Sequence, residues 1–559
     1  MAAETDIETG VAPAHRATDS AEGDASTGVG ADTGGGSGMG VGTGAGTGSG
    51  TGAGAGDGTD GGAGTDMGVG ADGGTRAEAA AASDAAGEPA RYGTNETYDA
   101  DAYDDDAYED AYDSFHTLTG WGRTAPTLAR VIRPRTYEEA AAAVLACGAR
   151  GSIARGLGRA YGDAAQNAGG SVLDMTALSR IRAIDTDAGL VVCDAGVSLH
   201  HLMEVLLPLG WFVPVTPGTR YVTVGGAVGA DIHGKNHHVS GSFARHVVAL
   251  DLLTADGQVH TLTPGTPLFD ATTGGMGLTG VILSVTLRLL PVETSLMYVV
   301  TERAADLDDL MARLTATDHR HRYSVAWIDL LARGAATGRA VLTRGDHAPY
   351  EALPRRARRA PLGFRPARLP AAPAYVPEGL LGRTGVGLFN ELWYRKAPRR
   401  STGRLQRLSS FFHPLDGVPH WNRVYGRSGF VQYQFVVGHG QEETLRRVVR
   451  RIAIRGCPSF LAVLKRFGEA DPGWLSFPVP GWTLALDIPA SLSGLGAFLD
   501  ELDEEVVAAG GRVYLAKDSR LRPELLAAMY PRLADFRELR ATLDPRSVFV
   551  SDLSRRLGL

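Results

Sequence analysis

Two glycine-rich segments carry residue types that could bind a phosphorylated ligand. The first, residues 154–163, places three glycines within seven positions. Because glycine tolerates positive φ and leaves the backbone N–H groups bare, such a run can present several donors to an anion. It is not a Walker loop, since no Gly-Lys-Ser/Thr follows, and not the Rossmann fingerprint, since the third glycine is misplaced and no helix pattern follows. Taken alone, the run fits a tight structural loop as well as a phosphate cradle.

The second segment, residues 217–234, adds further glycines at 218, 225, 226, 229 and 234. Two separate glycine-rich runs in one domain indicate a long ligand that the backbone touches at several places. A dinucleotide therefore fits better than a single phosphate.

The histidine cluster His233, His237 and His238 raises the question of a metal site. Gly234 interrupts any helix there, and neither a cysteine nor a His-Glu-x-x-His frame lies nearby, so we expect no metal. Lys517 follows a late strand, and its sequence context alone is that of a surface charge.

Composition separates a tail from the part of the chain that must position these residues. Of 74 glycines, 26 fall in the first 90 residues of the 559-residue chain. Residues 1–116 hold 3 Lys/Arg against 23 Asp/Glu, whereas residues 117–559 hold 52 against 40. We therefore expect a disordered, glycine-rich and acidic tail over 1–116 and a basic folded part after it.

Local patterns predict mixed helices and strands, and hence an α+β fold. Thr136 and Glu139 form a capping box for a helix that ends at Gly148, and Asp256-Gly257 predicts a hairpin. The prolines and arginines of residues 355–404 predict a mobile basic loop. Further strands are predicted at 151–155, 191–195, 211–215, 281–290, 430–437, 482–488 and 513–517, and further helices at 199–207 (capped by Ser198), 442–455 and 492–509.

Cysteines and terminal patterns exclude several classes. Cys147, Cys193 and Cys457 are odd in number and widely spaced, so they predict small buried side chains and no disulfide framework. The acidic start predicts no signal peptide, and no stretch approaches the ~20 apolar residues of a spanning helix. We expect a cytoplasmic or membrane-associated protein.

Taken together, the two glycine-rich segments and their spacing resemble the FAD-binding domain of the vanillyl-alcohol oxidase type. Within that group the chain resembles the decaprenylphosphoryl-β-D-ribose 2-oxidase family, the flavoprotein half of an actinobacterial epimerase that makes the arabinose donor for the cell wall. Seven ordered strings carry the resemblance, at residues 118–126, 153–158, 231–238, 277–280, 392–396, 432–435 and 516–520.

The resemblance implies a two-subdomain FAD-binding domain over 117–294, a substrate domain with an antiparallel sheet over 295–511, and a C-terminal return to the FAD-binding domain over 512–559. It implies catalytic roles for Lys517 and His233, and no metal. The implied FAD contacts are Ala154, Arg155, Gly156, Leu157, Gly158, Arg159, Ala160, Tyr161, Gly162, Asp163, Ala164, Gly218, Thr223, Val224, Gly225, Gly226, Ala230, Asp231, Ile232, His233, Ile282 and Tyr514. The implied substrate contacts are Tyr161, Lys235, Trp327, Gln432, Gln434 and Lys465.

The implied reaction is FAD-dependent oxidation of the ribose 2-hydroxyl of decaprenylphosphoryl-β-D-ribose to the 2-keto sugar, the first half of epimerisation in arabinan synthesis. An NAD-dependent keto-reductase subunit would complete it. The absence of histidine in residues 156–161 predicts non-covalent FAD. The net positive charge suits a phosphate-bearing lipid and an anionic membrane surface, and the resemblance leaves a periplasmic location possible.

Four pocket positions depart from mycobacterial members, which have Tyr, Ser, Asn and Cys where this chain has Phe412, Val325, Thr483 and Ala485. The departures alter the pocket wall and leave the flavin-facing set intact. Two alternatives stay open at this point. One is a related FAD-dependent polyol or aldonolactone oxidase, and the other is a non-enzymatic protein that binds anions or nucleic acid through its basic loops. No nucleic-acid motif orders those residues, so we expect no nucleic-acid partner.

Overall fold

The computed structural model describes residues 113–367, 369–374, 376–377 and 381–559. Short local signals in the sequence set many of the boundaries of its helices and strands. The expected tail lies outside the described residues except for 113–116, which belong to the first strand. The strands are β1 (Asp113–Leu118), β2 (Thr127–Ile132), β3 (Ser152–Arg155), β4 (Ser171–Asp174), β5 (Ile181–Asp185), β6 (Leu190–Asp194), β7 (Trp211–Phe212), β8 (Val247–Leu253), β9 (Val259–Leu262), β10 (Val281–Arg288), β11 (Leu290–Pro291), β12 (Leu296–Ala304), β13 (Tyr323–Ile328), β14 (Ala340–His347), β15 (Arg400–Arg407), β16 (Phe430–Gly438), β17 (Ala462–Phe467), β18 (Gly481–Pro489) and β19 (Arg512–Val513).

Thirteen α-helices connect and cover these strands in the described part of the chain. They are α1 (Tyr137–Leu145), α2 (Leu199–Leu206), α3 (Val224–Gly229), α4 (His237–Ser240), α5 (Pro267–Thr272), α6 (Leu307–Thr317), α7 (Arg383–Lys396), α8 (Leu408–Phe412), α9 (Glu442–Arg455), α10 (Leu495–Ala508), α11 (Pro523–Met529), α12 (Leu533–Leu543) and α13 (Asp552–Leu557).

Four sheets organise the described part of the chain, and three of them are antiparallel throughout. The first has the order β1-β2-β4-β3 and pairs β4 in parallel with both neighbours. The second has the order β5-β6-β10-β8-β9, and its β8–β9 hairpin turns at Asp256-Gly257 as predicted. A short β7–β11 pair is the third. The fourth has eight strands in the order β15-β12-β14-β13-β17-β18-β16-β19.

The hydrophobic core joins the large sheet to its covering helices. Helices α6, α9 and α10 contribute Leu310, Val448 and Leu502, each fully buried, to a cluster with the apolar side chains of the large sheet. A second cluster links α2 and the second sheet to Phe411 and Phe412. Burial of these side chains stabilises each contact by ~25 cal/mol per Å² of apolar surface removed from water.

The segment 355–404 corrects the sequence prediction of a mobile loop. It contains helix α7 and the start of the edge strand β15. The prediction was wrong for residues 383–397, because they contain no proline that would prevent a helix.

Smaller corrections concern strand ends and cysteines. The strand predicted at 211–215 is only the two-residue β7, and the one predicted at 513–517 ends at Val513 before a turn. Cys193 and Cys457 are buried as expected, whereas Cys147 is half-buried at the end of α1. Among the described helices, none has the length and apolar character needed to cross a bilayer.

Candidate active site

A cavity of about 920 Å³ opens between the glycine-rich loops and the face of the large sheet. This volume is at the upper end of the range for small-molecule sites, which suits a long ligand together with a substrate. It brings together Ala154, Arg155, Gly156, Leu157, Gly158, Arg159, Ala160, Tyr161, Ala164, Gly218, Thr223, Gly225, Gly226, Ala230, Ile232, His233, Ile282 and Tyr514 of the expected cofactor set, and Lys235, Trp327, Gln432, Gln434, Lys465 and Lys517 of the expected substrate and catalytic sets.

Four expected cofactor residues lie behind the cavity wall. Asp163 forms an ion pair with Arg556 at 2.8 Å, and Val224 is fully buried in the core. Gly162 packs so closely on the backbone of Asp518 that a Cβ atom would lie 2.0 Å from its carbonyl oxygen. Asp231 accepts a hydrogen bond from the Ala244 N–H at 3.0 Å and another from Ser476. These residues hold the loops and do not face the cavity.

Bare backbone forms the loop side of the cavity. A Cβ atom on Gly156 would lie 2.1 Å from the Thr223 hydroxyl oxygen, so only glycine lets the first loop approach the start of α3. Thr223 caps that helix by accepting from the Gly226 N–H at 3.2 Å. A Cβ atom on Gly218 would meet nothing within 4 Å, because that position faces open space. A cradle of this kind suits the pyrophosphate and sugar of a dinucleotide.

Lys517 reaches the cavity from the turn that follows β19. Its backbone N–H donates to the Tyr514 carbonyl at 2.9 Å, and the Tyr161 N–H donates to the Ala516 carbonyl at 2.9 Å. These bonds place the Lys517 Nζ 3.8 Å from the centre of the Tyr161 ring. Burial, reinforced by the positive charge of Lys465 and opposed by Asp487, lowers the pKa of Lys517 to about 7.

Asp487, on β18, is a site residue that the sequence analysis missed. Its carboxylate is fully buried and accepts hydrogen bonds from Gln432 and, at 3.4 Å, from the Tyr425 hydroxyl. Burial raises its pKa to about 7, and the nearby Lys517 acts in the opposite direction. The available signal was its place as the one ionisable residue in the run 482–488, since a carboxylate within a buried strand needs a partner.

His233 is buried and neutral. Burial, together with the charges of Lys465, His237 and Lys517, holds its pKa well below the usual value. The Thr483 hydroxyl donates to the Phe435 carbonyl at 2.9 Å, so its oxygen accepts from the Gln434 amide nitrogen at 3.2 Å.

That amide nitrogen also lies 2.9 Å from His233 Nε2, which must therefore accept. The proton of His233 is thus on Nδ1, a buried atom without a hydrogen-bond partner in the described part of the chain. His233 lines the cavity.

Two further lysines with lowered pKa values line the substrate side of the cavity. Lys465, on β17, donates to the Gly234 carbonyl at 3.4 Å, and burial lowers its pKa to about 8. Lys235 donates to the Phe411 carbonyl, and burial beside Lys465 lowers its pKa to about 7. Trp327 turns its indole N–H to the Phe460 carbonyl at 3.0 Å, which leaves the ring as part of the wall. The site suits a ligand with several oxygen acceptors.

The neighbouring histidines His237 and His238 have different hydrogen-bond partners. His237 Nε2 lies 3.1 Å from the Asp471 carboxylate, and His238 Nε2 lies 2.9 Å from the His321 carbonyl. Within the residues that the structure describes, no three His, Cys, Asp or Glu side chains converge in a way that could hold a metal ion.

The four residues that depart from the mycobacterial pattern lie around the same cavity. Phe412, Val325 and Ala485 line it. Thr483 lies behind Gln434 and orients its amide. Three of the altered positions therefore line the cavity, and the fourth orients a residue that does.

Comparisons with known proteins agree with this geometry. Residues 128–263 match the family described as FAD binding domain, and residues 489–557 match D-arabinono-1,4-lactone oxidase. Decaprenylphosphoryl-beta-D-ribose oxidase of Mycolicibacterium smegmatis is 46% identical over 449 residues, which is 79% of this chain and 97% of that protein.

Two Streptomyces proteins are also similar. An uncharacterised protein of Streptomyces coelicolor is 60% identical over 65% of this chain and 100% of its own length. The alditol oxidase of a Streptomyces species is 26% identical over 79% of this chain and 98% of its own length.

The bare glycine cradle and the matched FAD-binding region define a flavoprotein, and the protein is an FAD-dependent oxidoreductase. More narrowly, the chain belongs to the family of decaprenylphosphoryl-β-D-ribose oxidase, because it shares 46% identity with that enzyme over nearly its whole length.

Proposed function

We propose that the protein oxidises the ribose 2-hydroxyl of decaprenylphosphoryl-β-D-ribose to the 2-keto sugar. This is the first half of an epimerisation that leads to the arabinose donor for cell-wall arabinan. The observation that carries the proposal is the buried Lys517 amine, whose pKa of about 7 makes it a usable proton acceptor inside the cavity. The similarity to the mycobacterial oxidase supports the substrate class.

FAD would bind without a covalent link along the glycine loops, with Tyr514 and His233 beside its ring. When bound, FAD supplies the acceptor for the hydride from the sugar carbon. The Tyr514 hydroxyl donates to the Ala230 carbonyl at 2.7 Å, which ties the C-terminal turn to the second glycine segment. The residues that hold the flavin and those that act on the sugar are therefore fixed to each other.

The chain's own groups move the hydroxyl proton. Neutral Lys517 accepts it, and Asp487 lies close enough to stabilise the ammonium that results. His233, held by the Gln434 amide, helps to orient the bound groups. Lys465, with a pKa of about 8, provides positive charge for the oxygens of the substrate, and the Lys235 amine provides N–H donors.

We propose the domain organisation on similar grounds. Residues 117–294 and 512–559 would form a two-subdomain FAD-binding domain of the vanillyl-alcohol oxidase type, and residues 295–511 the substrate domain. Support comes from the Ser152 N–H, which donates to the Val548 carbonyl and so joins the C-terminal segment to β3. An NAD-dependent keto-reductase would take the product, and an anionic membrane surface would supply the lipid-linked substrate.

A polyol or aldonolactone oxidase is the competing function, favoured by the match of residues 489–557 and by the alditol oxidase relative. Anaerobic mixing of the flavoprotein with each substrate separates the two. We expect decaprenylphosphoryl-ribose to bleach the flavin absorbance and to yield a product that has lost two hydrogens by mass spectrometry.

The 2-deoxyribose analogue is the matched control and should leave the flavin oxidised, because it lacks the reacting hydroxyl. Faster bleaching by xylitol or a gulonolactone than by the polyprenyl sugar would favour the competing function.

A further inference from the structure

Helix α7 exposes an apolar face at the protein surface. Leu388 and Leu392 are 62% and 60% exposed, and Phe389 and Trp393 are 43% and 45% exposed. Leu388 lies four residues before Leu392, and Phe389 four before Trp393. All four side chains therefore fall on one side of the helix. The rings of Phe389 and Trp393 stack with centroids 6.0 Å apart. A contiguous exposed apolar patch of this kind marks an interaction surface.

The opposite face anchors the helix in this orientation. Val386 and Asn390 are buried, and the Asn390 amide donates to the Asp329 carboxylate at 2.8 Å and to the Ser459 carbonyl at 3.3 Å. The Tyr394 hydroxyl donates to the Ala304 carbonyl at 3.2 Å. These hydrogen bonds hold one face of α7 against the rest of the protein. The leucines and aromatic rings on its other face are therefore exposed.

The exposed face continues into the mouth of the active-site cavity. Trp393 and Lys396, on the last turn of α7, and Pro398, just after it, line the cavity. Lys396, Arg399 and Arg400 are exposed beside the patch and add positive charge at its edge. An apolar patch with a basic rim is the surface of a helix that lies in a membrane interface.

We propose that α7 docks on an anionic phospholipid bilayer. The apolar patch (Leu388, Phe389, Leu392 and Trp393) would enter the boundary between headgroups and acyl chains. Arg399 and Arg400 would contact lipid phosphates. The mouth of the cavity then faces the membrane, where a sugar on a polyprenyl phosphate is anchored. The purpose of this docking rests on the proposed function, but the docking itself requires no turnover.

Charge favours the bilayer over a second copy of the chain. A symmetric contact through the patch would bring the basic rims of two copies together, and like charges repel. An anionic surface complements the same rim.

Sedimentation of the full flavoprotein with lipid vesicles tests the proposal. We expect binding to phosphatidylglycerol vesicles that weakens as salt is added, and much weaker binding to phosphatidylcholine. L388Q/L392Q should reduce the affinity for phosphatidylglycerol vesicles about tenfold or more, since it removes the inserted apolar area without changing charge. L128Q/L209Q is the matched control, because these leucines are 57% and 48% exposed on other elements, and it should bind as the unsubstituted protein does.

A charge-reversal variant tests the basic rim separately from the apolar patch, and flavin content and turnover separate a loss of membrane binding from a loss of folding or activity. R399E/R400E should also weaken binding and reduce its dependence on salt, without touching the patch. Flavin content verifies that each variant is folded, and turnover of a short-chain, water-soluble polyprenyl-phosphoryl ribose tests the proposed function separately. Equal vesicle binding by L388Q/L392Q and the unsubstituted protein would overturn the proposal. So would an unsubstituted protein that ignores vesicles, or one that forms dimers which L388Q/L392Q dissociates.

Discussion

Lys517 and Asp487 are an ionisable pair that burial drives toward the neutral forms. Burial lowers the pKa of the amine and raises the pKa of the carboxyl, and both come to about 7. Each charge opposes the shift of the other, because the ammonium and the carboxylate attract. A proton taken from the substrate hydroxyl at neutral pH can therefore be held here at little cost in free energy.

The first prediction is that the Lys517→Ala variant keeps its bound flavin but reduces it much more slowly with substrate. The glycine loops and Tyr514 would still hold FAD, while loss of a positioned proton acceptor typically slows the step by about 10²–10⁴-fold. Stopped-flow measurement of flavin reduction gives the rate, and the flavin-to-protein absorbance ratio gives occupancy. Lys396→Ala, a lysine at the mouth of the same cavity, is the control and should change that rate far less.

The second prediction concerns the pH dependence of flavin reduction. In the proposed mechanism neutral Lys517 is the active form, so the rate should rise with pH through about 7. Asp487 raises the pKa of Lys517, and Asp487→Asn removes that charge, so the midpoint should move to lower pH. Asp346→Asn removes an ion-paired carboxylate from the same sheet and should leave the midpoint in place. An unchanged midpoint in Asp487→Asn would show that the charge of this carboxylate does not affect the pKa of Lys517.

At the scale of the elements, the loops shape the cofactor site through the absence of side chains. Gly218 faces open space inside the cavity, so the position can take a larger residue without an internal clash. Any side chain there would occupy volume that the ligand needs.

The third prediction follows from that geometry. Gly218→Val should fold normally and weaken FAD binding about tenfold or more, because overpacking a site typically costs ~1–3 kcal/mol. Titration of the apoprotein with FAD measures the Kd, and circular dichroism of the apoprotein checks the fold. Gly148→Val is the control, since a Cβ there also meets nothing within 4 Å but lies outside the cavity. Equal Kd values for the two variants would contradict the assignment of this cavity to FAD.

Local signals explain which elements the sequence predicted. Helices α1 and α2 begin after Thr136 and Ser198, which accept hydrogen bonds from backbone N–H groups as expected, and α9 has the bounds predicted for it. Strand β17 was missed because its register is set by pairing with β13 and β18 rather than by its own residues. Helix α3 was missed because Gly225, Gly226 and Gly229 are poor helix formers.

The site divides in the same way. The glycine segments and Lys517 stand in strings that could be read directly, and the structure brings them to one cavity. The run 482–488 marks Asp487 as a buried carboxylate that needs a partner, but it does not identify the neighbours Gln432 and Lys517, which come from β16 and from the C-terminal turn. That proximity is a product of the tertiary fold.

At the scale of the whole molecule, the different composition of the N-terminal segment and the rest of the chain leads to the fourth prediction. Residues 1–110 hold few large apolar side chains, so they have little surface with which to stabilise a folded core. Their deletion should leave flavin content unchanged and shift Tm by less than about 2 °C. Differential scanning calorimetry of the full and truncated chains makes the comparison. A larger fall in Tm would show that the segment docks on the rest of the protein.

The central claim is that this flavoprotein removes hydride from the 2-position of a polyprenyl-phosphoryl ribose while Lys517 takes the hydroxyl proton. Anaerobic stopped-flow reduction with substrate that carries deuterium at C2 tests it most directly. We predict that deuterium slows bleaching of the flavin, that the 2-keto sugar is the product, and that Lys517→Ala reduces the flavin at least about 10²-fold more slowly with its FAD in place. Bleaching by Lys517→Ala at the unsubstituted rate, or no bleaching of the intact flavoprotein by this substrate, would contradict the claim.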